Sequence, residues 1–397
     1  MNTEILHTEI QEYIFKKSDE NIDLTKLILS GSPFEHITVQ ELAQQISGRL
    51  KAKNKLPLWH QTKGIYYPPT LNLEQTSSEA TAIYKSELVS CDTLIDLTGG
   101  FGIDDYYFSK KVKRVIHCEL HPLLSEITSH NFQVLGANNI ETHAGDGLKI
   151  LKNNEEIDWI YIDPSRRHDS KGKVFFLEDC LPNVPSNLDL LFSKSKNILI
   201  KTSPLLDIHS GLKSLQFVKE IHVVALNNEV KELLWILEKE TKKDTIIHTI
   251  NLVKDKNIPF SFSLKEESNF LPKLSLPKKY IYEPNAAIMK AGGFCSISKA
   301  YELEKLHNHS HLYTSDQNIE FPGRKFEVIS VLPYQKQIIK KEKITKANIT
   351  TRNFPETVSA IRKKFKIKEG GETYLFFTTN LLDEKIVLVC KKIRVNI

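Results

Sequence analysis

No stretch of roughly 18 apolar residues occurs in this 397-residue chain, so the sequence offers no candidate for a bilayer-spanning helix. The amino-terminal stretch MNTEILHTEIQEY is polar and acidic, with neither the basic start nor the apolar run of a secretory signal, which predicts a cytoplasmic protein. Cysteine is scarce. Cys91, Cys118, Cys180, Cys295 and Cys390 are dispersed, odd in number and never spaced C-x-x-C, a pattern that suggests neither a disulfide framework nor a thiolate zinc site. His307, His309 and His311 alternate in HNHSH, but no nearby Cys or carboxylate completes a coordination set, so no metal is expected. Internal repeats and low-complexity tracts are also missing. What is present is an ordinary globular composition, 40% hydrophobic and 26% charged, in a chain long enough for two or three cores.

Charge is unevenly placed. Residues 321–397 hold 17 Lys and Arg against 7 Asp and Glu, an excess of ten, so a total of +5 leaves residues 1–320 with a deficit of five. Such a basic end is either a solvated surface or a face for a phosphate backbone, which clustered cations bind with counterion release.

Residues 1–88 have apolar positions at three- and four-residue spacing and predict an N-terminal helical domain. From Thr93, short β-branched runs (TLIDL, RVIHCEL, IETHAG, DWIYIDP, NILIKTS) alternate with longer helical stretches. That alternation predicts an α/β fold with a doubly wound, mostly parallel sheet over residues 89–245. IHVVAL, ELLWILE and TIIHTINLV follow one another with links too short for crossover helices, so these strands are expected to pair antiparallel. Residues 246–320 read as a connector followed by a small segment, the ferredoxin-like one in the resemblance stated below. Residues 321–397 read as a small α/β domain whose strands flank a basic helix, ETVSAIRKKFKI, with Arg362, Lys363 and Lys364 as candidate RNA contacts.

The chemistry centres on the first strand, which runs into Thr98-Gly99-Gly100-Phe101-Gly102 ahead of a helix. Glycines let the backbone turn tightly and let a ligand lie against main-chain N–H groups. The third glycine of a dinucleotide fingerprint is missing, and Asp96 stands before the loop, where its charge would repel a pyrophosphate but not a sulfonium amino acid. Further carboxylates follow successive strands. Glu119 is placed for two ribose hydroxyls, Asp146 beside Gly147 for an adenine amine, and Asp163 opens Asp163-Pro164-Ser165-Arg166-Arg167.

On these residues the chain resembles the class I S-adenosylmethionine-dependent methyltransferases over residues 90–240. DLTGGFG is similar to that Rossmann-like fold's first motif, Glu119 and Asp146 to its ribose and adenine contacts, and DPSRR to its D-P-P-x motif. The resemblance implies a seven-stranded sheet closed by an antiparallel pair, and a donor-binding set of Asp96, Thr98, Gly99, Gly100, Gly102, Asp104, Glu119, Asp146 and Gly147. LNLEQTSSEATAIYK, KGKVF and the tail from YEPNAAIMKAGG to LVCKK extend the resemblance to bacterial methyltransferases with a ferredoxin-like segment and a THUMP-like C-terminal domain. By analogy this implies an RNA substrate, tRNA or rRNA. DPSRR departs from D-P-P-Y in lacking the aromatic ring that stacks on a flipped base.

Methyl transfer needs alignment more than a nucleophile. No Cys lies in DPSRR or ILIKTSP to attack a pyrimidine carbon, so nitrogen and oxygen acceptors remain. Asp163 is the expected contact of an acceptor amine on an RNA base, with Pro164 and Ser165 beside it and Arg166 or Arg167 on the substrate. The alternative acceptor is a ribose 2′-hydroxyl, served by Lys85, Asp163, Lys201 and Glu232, with Lys201 as a base whose pKa burial lowers. A nicotinamide oxidoreductase and a non-catalytic RNA-binding protein are the readings outside this class.

Overall fold

The computed structural model describes residues 1–20, 22–166, 176–253 and 257–393. The chain divides into two compact units, Met1–Lys219 with Glu232–Lys242, and Glu220–Lys231 with the residues from Lys243 onward. Among the described residues no helix is long and apolar enough to cross a membrane.

The first unit begins with α1 (Thr8–Asp19), α2 (Leu24–Ser30), α3 (Val39–Lys55), α4 (Pro57–Gln61), α5 (Thr70–Gln75) and α6 (Glu79–Ser86). The longest, α3, starts at a capping box: Thr38 Oγ1 accepts from the Glu41 N–H at 3.2 Å, and the Glu41 carboxylate accepts from the Thr38 N–H at 2.8 Å. The buried faces of these helices, with Trp59 and Tyr67, join Phe101, Ile103, Tyr106, Leu124, Ile127 and Phe132 in a single core. A separate domain ending at residue 88 is therefore not what forms. The helices complete the same hydrophobic core as α7 (Ile103–Phe108) and α8 (Pro122–Val134).

The sheet of this unit uses β1 (Thr93–Asp96), β2 (Arg114–Glu119), β3 (Ile140–Ala144), β4 (Trp159–Ile162), β7 (Asn197–Thr202) and β9 (Glu229–Glu238), the last from Glu232 on. Between β4 and β7 lie two short strands, β5 (Ser165–Arg166) and β6 (Cys180–Leu181), which pair with each other. The order is β9-β7-β4-β1-β2-β3. β1 is parallel to β2 and β4, β3 to β2 and β7 to β4, while β9 is antiparallel to β7. Central strands are buried on both faces, which is why β1, β4 and β7 read as continuous apolar runs, whereas the edge strand β3 is mostly exposed. The chain winds outward to β3 and then restarts at β4 on the other side of β1. Carboxyl ends of strands on either side of such a switch point flank a ligand crevice.

β8 (Val218–Leu226), β10 (Ile246–Leu252) and β11 (Phe260–Ser263) form a ladder whose residues from Glu220 on belong to the second unit. TIIHTINLV does not pair with ELLWILE as the chain order led one to expect: β10 lies beside β8 and pairs with it in parallel. The chain reverses twice, once into β9 and once out of it, so β10 regains the direction of β8. The antiparallel partner of β10 is β11.

The second unit continues with β12 (Tyr280–Pro284), β13 (Glu304–Lys305), β14 (Tyr313–Ser315), β15 (Gly323–Pro333), β16 (Asn348–Arg352), β17 (Thr373–Thr379) and β18 (Lys385–Lys392), a seven-stranded sheet in the order β13-β14-β12-β15-β18-β17-β16. Period-two alternation splits its side chains between two cores: Phe376 and Leu388 face one with Ile281 and Phe326, and Phe377 and Val387 face the other with Ile339 and Ile361. Within residues 246–320, the stretch expected as a connector carries β10 and β11, and the segment after it supplies β12, β13 and β14 to this sheet.

Candidate functional site

The turn after β1 is held open by side chains that glycine omits. A Cβ on Gly99 would lie 2.1 Å from the His117 ring of β2, and Gly102 takes a positive φ of 74° as it leads into α7. Asp96, buried at the end of β1, accepts from the Thr98 N–H at 2.7 Å and from its hydroxyl at 3.0 Å. Thr98 Oγ1 in turn accepts from the Asp163 N–H at 2.7 Å, which ties the end of β4 to the loop after β1.

The remaining strand-end acids have defined partners. Glu119 accepts from the Gly100 N–H at 2.9 Å with one oxygen and from the His121 N–H at 2.7 Å with the other, so each oxygen keeps a lone pair for a further donor. Asp146 caps the helix Gly147–Asn153, accepting from the Leu148 N–H at 2.9 Å. Asp104, expected at the donor, is committed elsewhere: its Oδ2 accepts from the hydroxyls of Ser77 and Tyr161, each at 2.8 Å, and its Oδ1 lies 3.2 Å from Lys85 Nζ.

Lys85 has no exposed surface and donates to both oxygens of Glu232 at 2.8 Å and to Ser77 Oγ at 3.0 Å. At the end of β7, Lys201 Nζ meets Asp163 Oδ2 at 2.5 Å. Burial alone would lower the Lys201 pKa, but Asp163, Asp104 and Glu232 outweigh it and push the ammonium well above its usual range. The expectation of a lysine deprotonated by burial is therefore overturned, because the same pocket that desolvates Lys201 surrounds it with carboxylates. Burial likewise opposes ionisation of Asp104, yet Lys85 and Lys201 hold its carboxyl below the usual range. Asp105 behaves oppositely. Burial and the neighbouring Asp104 raise it, burial lowers His117, and the two meet at 2.6 Å.

Ser77, Asp105, His117 and Tyr161 escaped the sequence reading. The signal available was a polar residue inside an apolar strand, His117 in RVIHCEL and Tyr161 in DWIYIDP. Pro164 follows Asp163, and Ser165 pairs with Leu181. The Arg166 side chain, Arg167 and the KGKVF stretch lie outside the described residues. In the second unit, Arg362 donates to the carbonyls of Ala347 and Ile367, and Lys364 to Tyr334 Oη and Glu356, whereas Lys363 is simply exposed. His307 is bonded to Asp383 and Asn353, and His311 stacks on Phe294.

Family models match at the carboxyl-terminal end, a ferredoxin-like domain over residues 280–322 and a THUMP domain-like region over residues 323–392. Together they cover the seven strands of the second sheet. No curated protein matches the sequence. Among solved structures, a protein from Porphyromonas gingivalis W83, provisionally described as a methyltransferase, is 32% identical with 99% of each chain covered and a TM-score of 0.89. An rRNA methylase from Streptococcus thermophilus (16% identity, 41% of this chain and 95% of that one, TM-score 0.30) and M. capricolum TrmK in complex with S-adenosyl-homocysteine (15%, 42% and 70%, TM-score 0.33) overlap a part of the chain. With a full-length relative at this identity and both carboxyl-terminal models in place, the chain belongs to the class I methyltransferases that carry a ferredoxin-like segment and a THUMP-like C-terminal domain.

Proposed function

We propose that the chain uses S-adenosylmethionine to methylate a nitrogen of an RNA base, in tRNA or rRNA. The observation that carries this reading is Asp163. It stands at the carboxyl end of β4, is tied through its N–H to the glycine loop, and keeps 36% of its side chain exposed while Lys201 holds one oxygen.

When bound, S-adenosylmethionine supplies an electrophilic methyl group on a cationic sulfur. The residues present fit such a donor: Asp96, Glu119 and Asp146 stand at the ends of three adjacent strands, and Thr98, Gly99, Gly100, Gly102 and Gly147 bring backbone close. Glu119 would hold the ribose hydroxyls of such a donor on its remaining lone pairs. Asp163 would accept a hydrogen bond from the acceptor amine, hold its nitrogen toward the donor site and take up the proton the amine gives up. Lys201, held protonated, positions Asp163 and is a poor base for a hydroxyl, which favours nitrogen over oxygen. Pro164 and Ser165 adjoin Asp163 in the chain, and Arg166 and Arg167 would contact the RNA. Exposed Lys336, Lys340 and Lys363, with Arg362 and Lys364, give the THUMP-like region its cationic face.

A ribose 2′-hydroxyl is the second reading. It is favoured by the proximity of Lys85–Glu232 and Lys201–Asp163, two ion pairs that feel each other's charge. Calorimetry with S-adenosylhomocysteine tests the donor site: Glu119→Ala is expected to lose about 1.5 to 3 kcal/mol, and unchanged affinity rejects it. Nucleoside mass spectrometry on RNA from a deletion strain then decides the acceptor. A missing base-methylated nucleoside supports nitrogen, and a missing 2′-O-methyl nucleoside supports ribose.

A further inference from the structure

β8 and β10 run parallel and in register, with Glu220 opposite Ile246 and His222 opposite His248. Residues two apart on a strand share a face, and paired strands lie about 4.8 Å apart. The pairing therefore gathers Glu220, His222 and His248 on one side of the ladder. Their polar atoms converge: Glu220 Oε2 is 3.3 Å from His222 Nε2 and 3.7 Å from His248 Nε2, and one ligand atom from each residue lies within 4.8 Å of the other two. Ser261 Oγ on β11 is 2.8 Å from His248 Nδ1, which orients the ring and leaves Nε2 for the shared centre. The two rings stack at 4.6 Å. His222 is buried, while Glu220 and His248 keep 27% and 32% of their side chains exposed, so one side of the cluster is open to water.

Two imidazoles and a carboxylate are the nitrogen–oxygen donor set of zinc and its first-row neighbours. Bonds of about 2.05 Å in a tetrahedron place ligand atoms about 3.3 Å apart. Two of the separations here are already at or near that value, and the third closes by modest side-chain rotation. We propose that Glu220 Oε2, His222 Nε2 and His248 Nε2 bind a divalent transition-metal ion of the zinc type, with water completing the coordination, and that the ion clamps β8 to β10. The site lies wholly within the second unit and stands independently of the methyl-transfer reading.

The experiment uses the full-length, tag-free chain stripped with a chelator, then dialysed against Zn²⁺ with elemental analysis, and in parallel against Co²⁺ with visible spectroscopy. One Zn²⁺ per chain is expected, with a Co²⁺ spectrum of low-coordinate nitrogen–oxygen ligation. His248→Gln and Glu220→Gln should weaken binding by well over about tenfold, and the milder Ser261→Ala by about tenfold. His309→Gln should leave it unchanged. A wild-type chain that binds no stoichiometric Zn²⁺, or a His248→Gln chain that binds it as tightly as wild type, overturns the site.

Discussion

Single side chains in the buried crevice wall carry opposite protonation preferences within a few residues of each other, and these have consequences for stability. Asp105 is fully buried with its carboxyl raised, so the folded state binds a proton that the unfolded chain releases at a lower pH. Stability contributed at this position therefore falls as pH rises from the unfolded value of about 3.9 toward the folded one. Asp105→Asn keeps a donor facing His117 and removes the titration. Its stability relative to wild type should grow with pH above about 4, by up to about 1.36 kcal/mol per unit, as read from urea midpoints across a pH series. A difference that does not change with pH would place the ionised form in the folded protein.

At the scale of elements, the turn after β1 depends on how closely β2 approaches it. Gly99→Ala drives a methyl into the His117 ring and should cost about 1 to 3 kcal/mol. If the clash is the cause, the cost shrinks when His117→Ala is added, a double-mutant cycle followed by thermal unfolding; a fully additive pair rejects it. The parallel strands and their terminal acids were legible because each strand carries its own apolar run and its own acid. Pairings that depend on a third strand were not. β8 and β10 are separated in the chain by β9, and their parallel register alone brings His222 next to His248, 26 positions away, so a reading of local spacing sees neither the pairing nor the His–Glu cluster. Asp104 was misassigned for a related reason. Its position just past the glycine loop suggests a donor contact, but Lys85, Ser77 and Tyr161 come from elements before and after it and claim its oxygens.

For the molecule as a whole, cationic surface and sheet architecture coincide in the second unit. The ferredoxin-like and THUMP-like matches meet between residues 322 and 323, yet β12 and β15 pair across that boundary, so deleting residues 321–397 would tear a sheet as well as remove charge. Charge reversal is the cleaner probe. Lys336→Glu, Lys340→Glu and Lys363→Glu together should weaken RNA binding and flatten its log–log salt dependence by nearly one for each phosphate that is no longer neutralised, measured by fluorescence anisotropy at several salt concentrations. An unaltered slope would make this face a solvated surface. The chain passes from one unit to the other three times, at Lys219–Glu220, Lys231–Glu232 and Lys242–Lys243. No single recombination point can then exchange one unit and spare the other, since any crossover before residue 243 leaves a unit assembled from two parents. Inheritance of the first unit's sheet and of the carboxyl-terminal sheet is coupled by the path of the backbone itself.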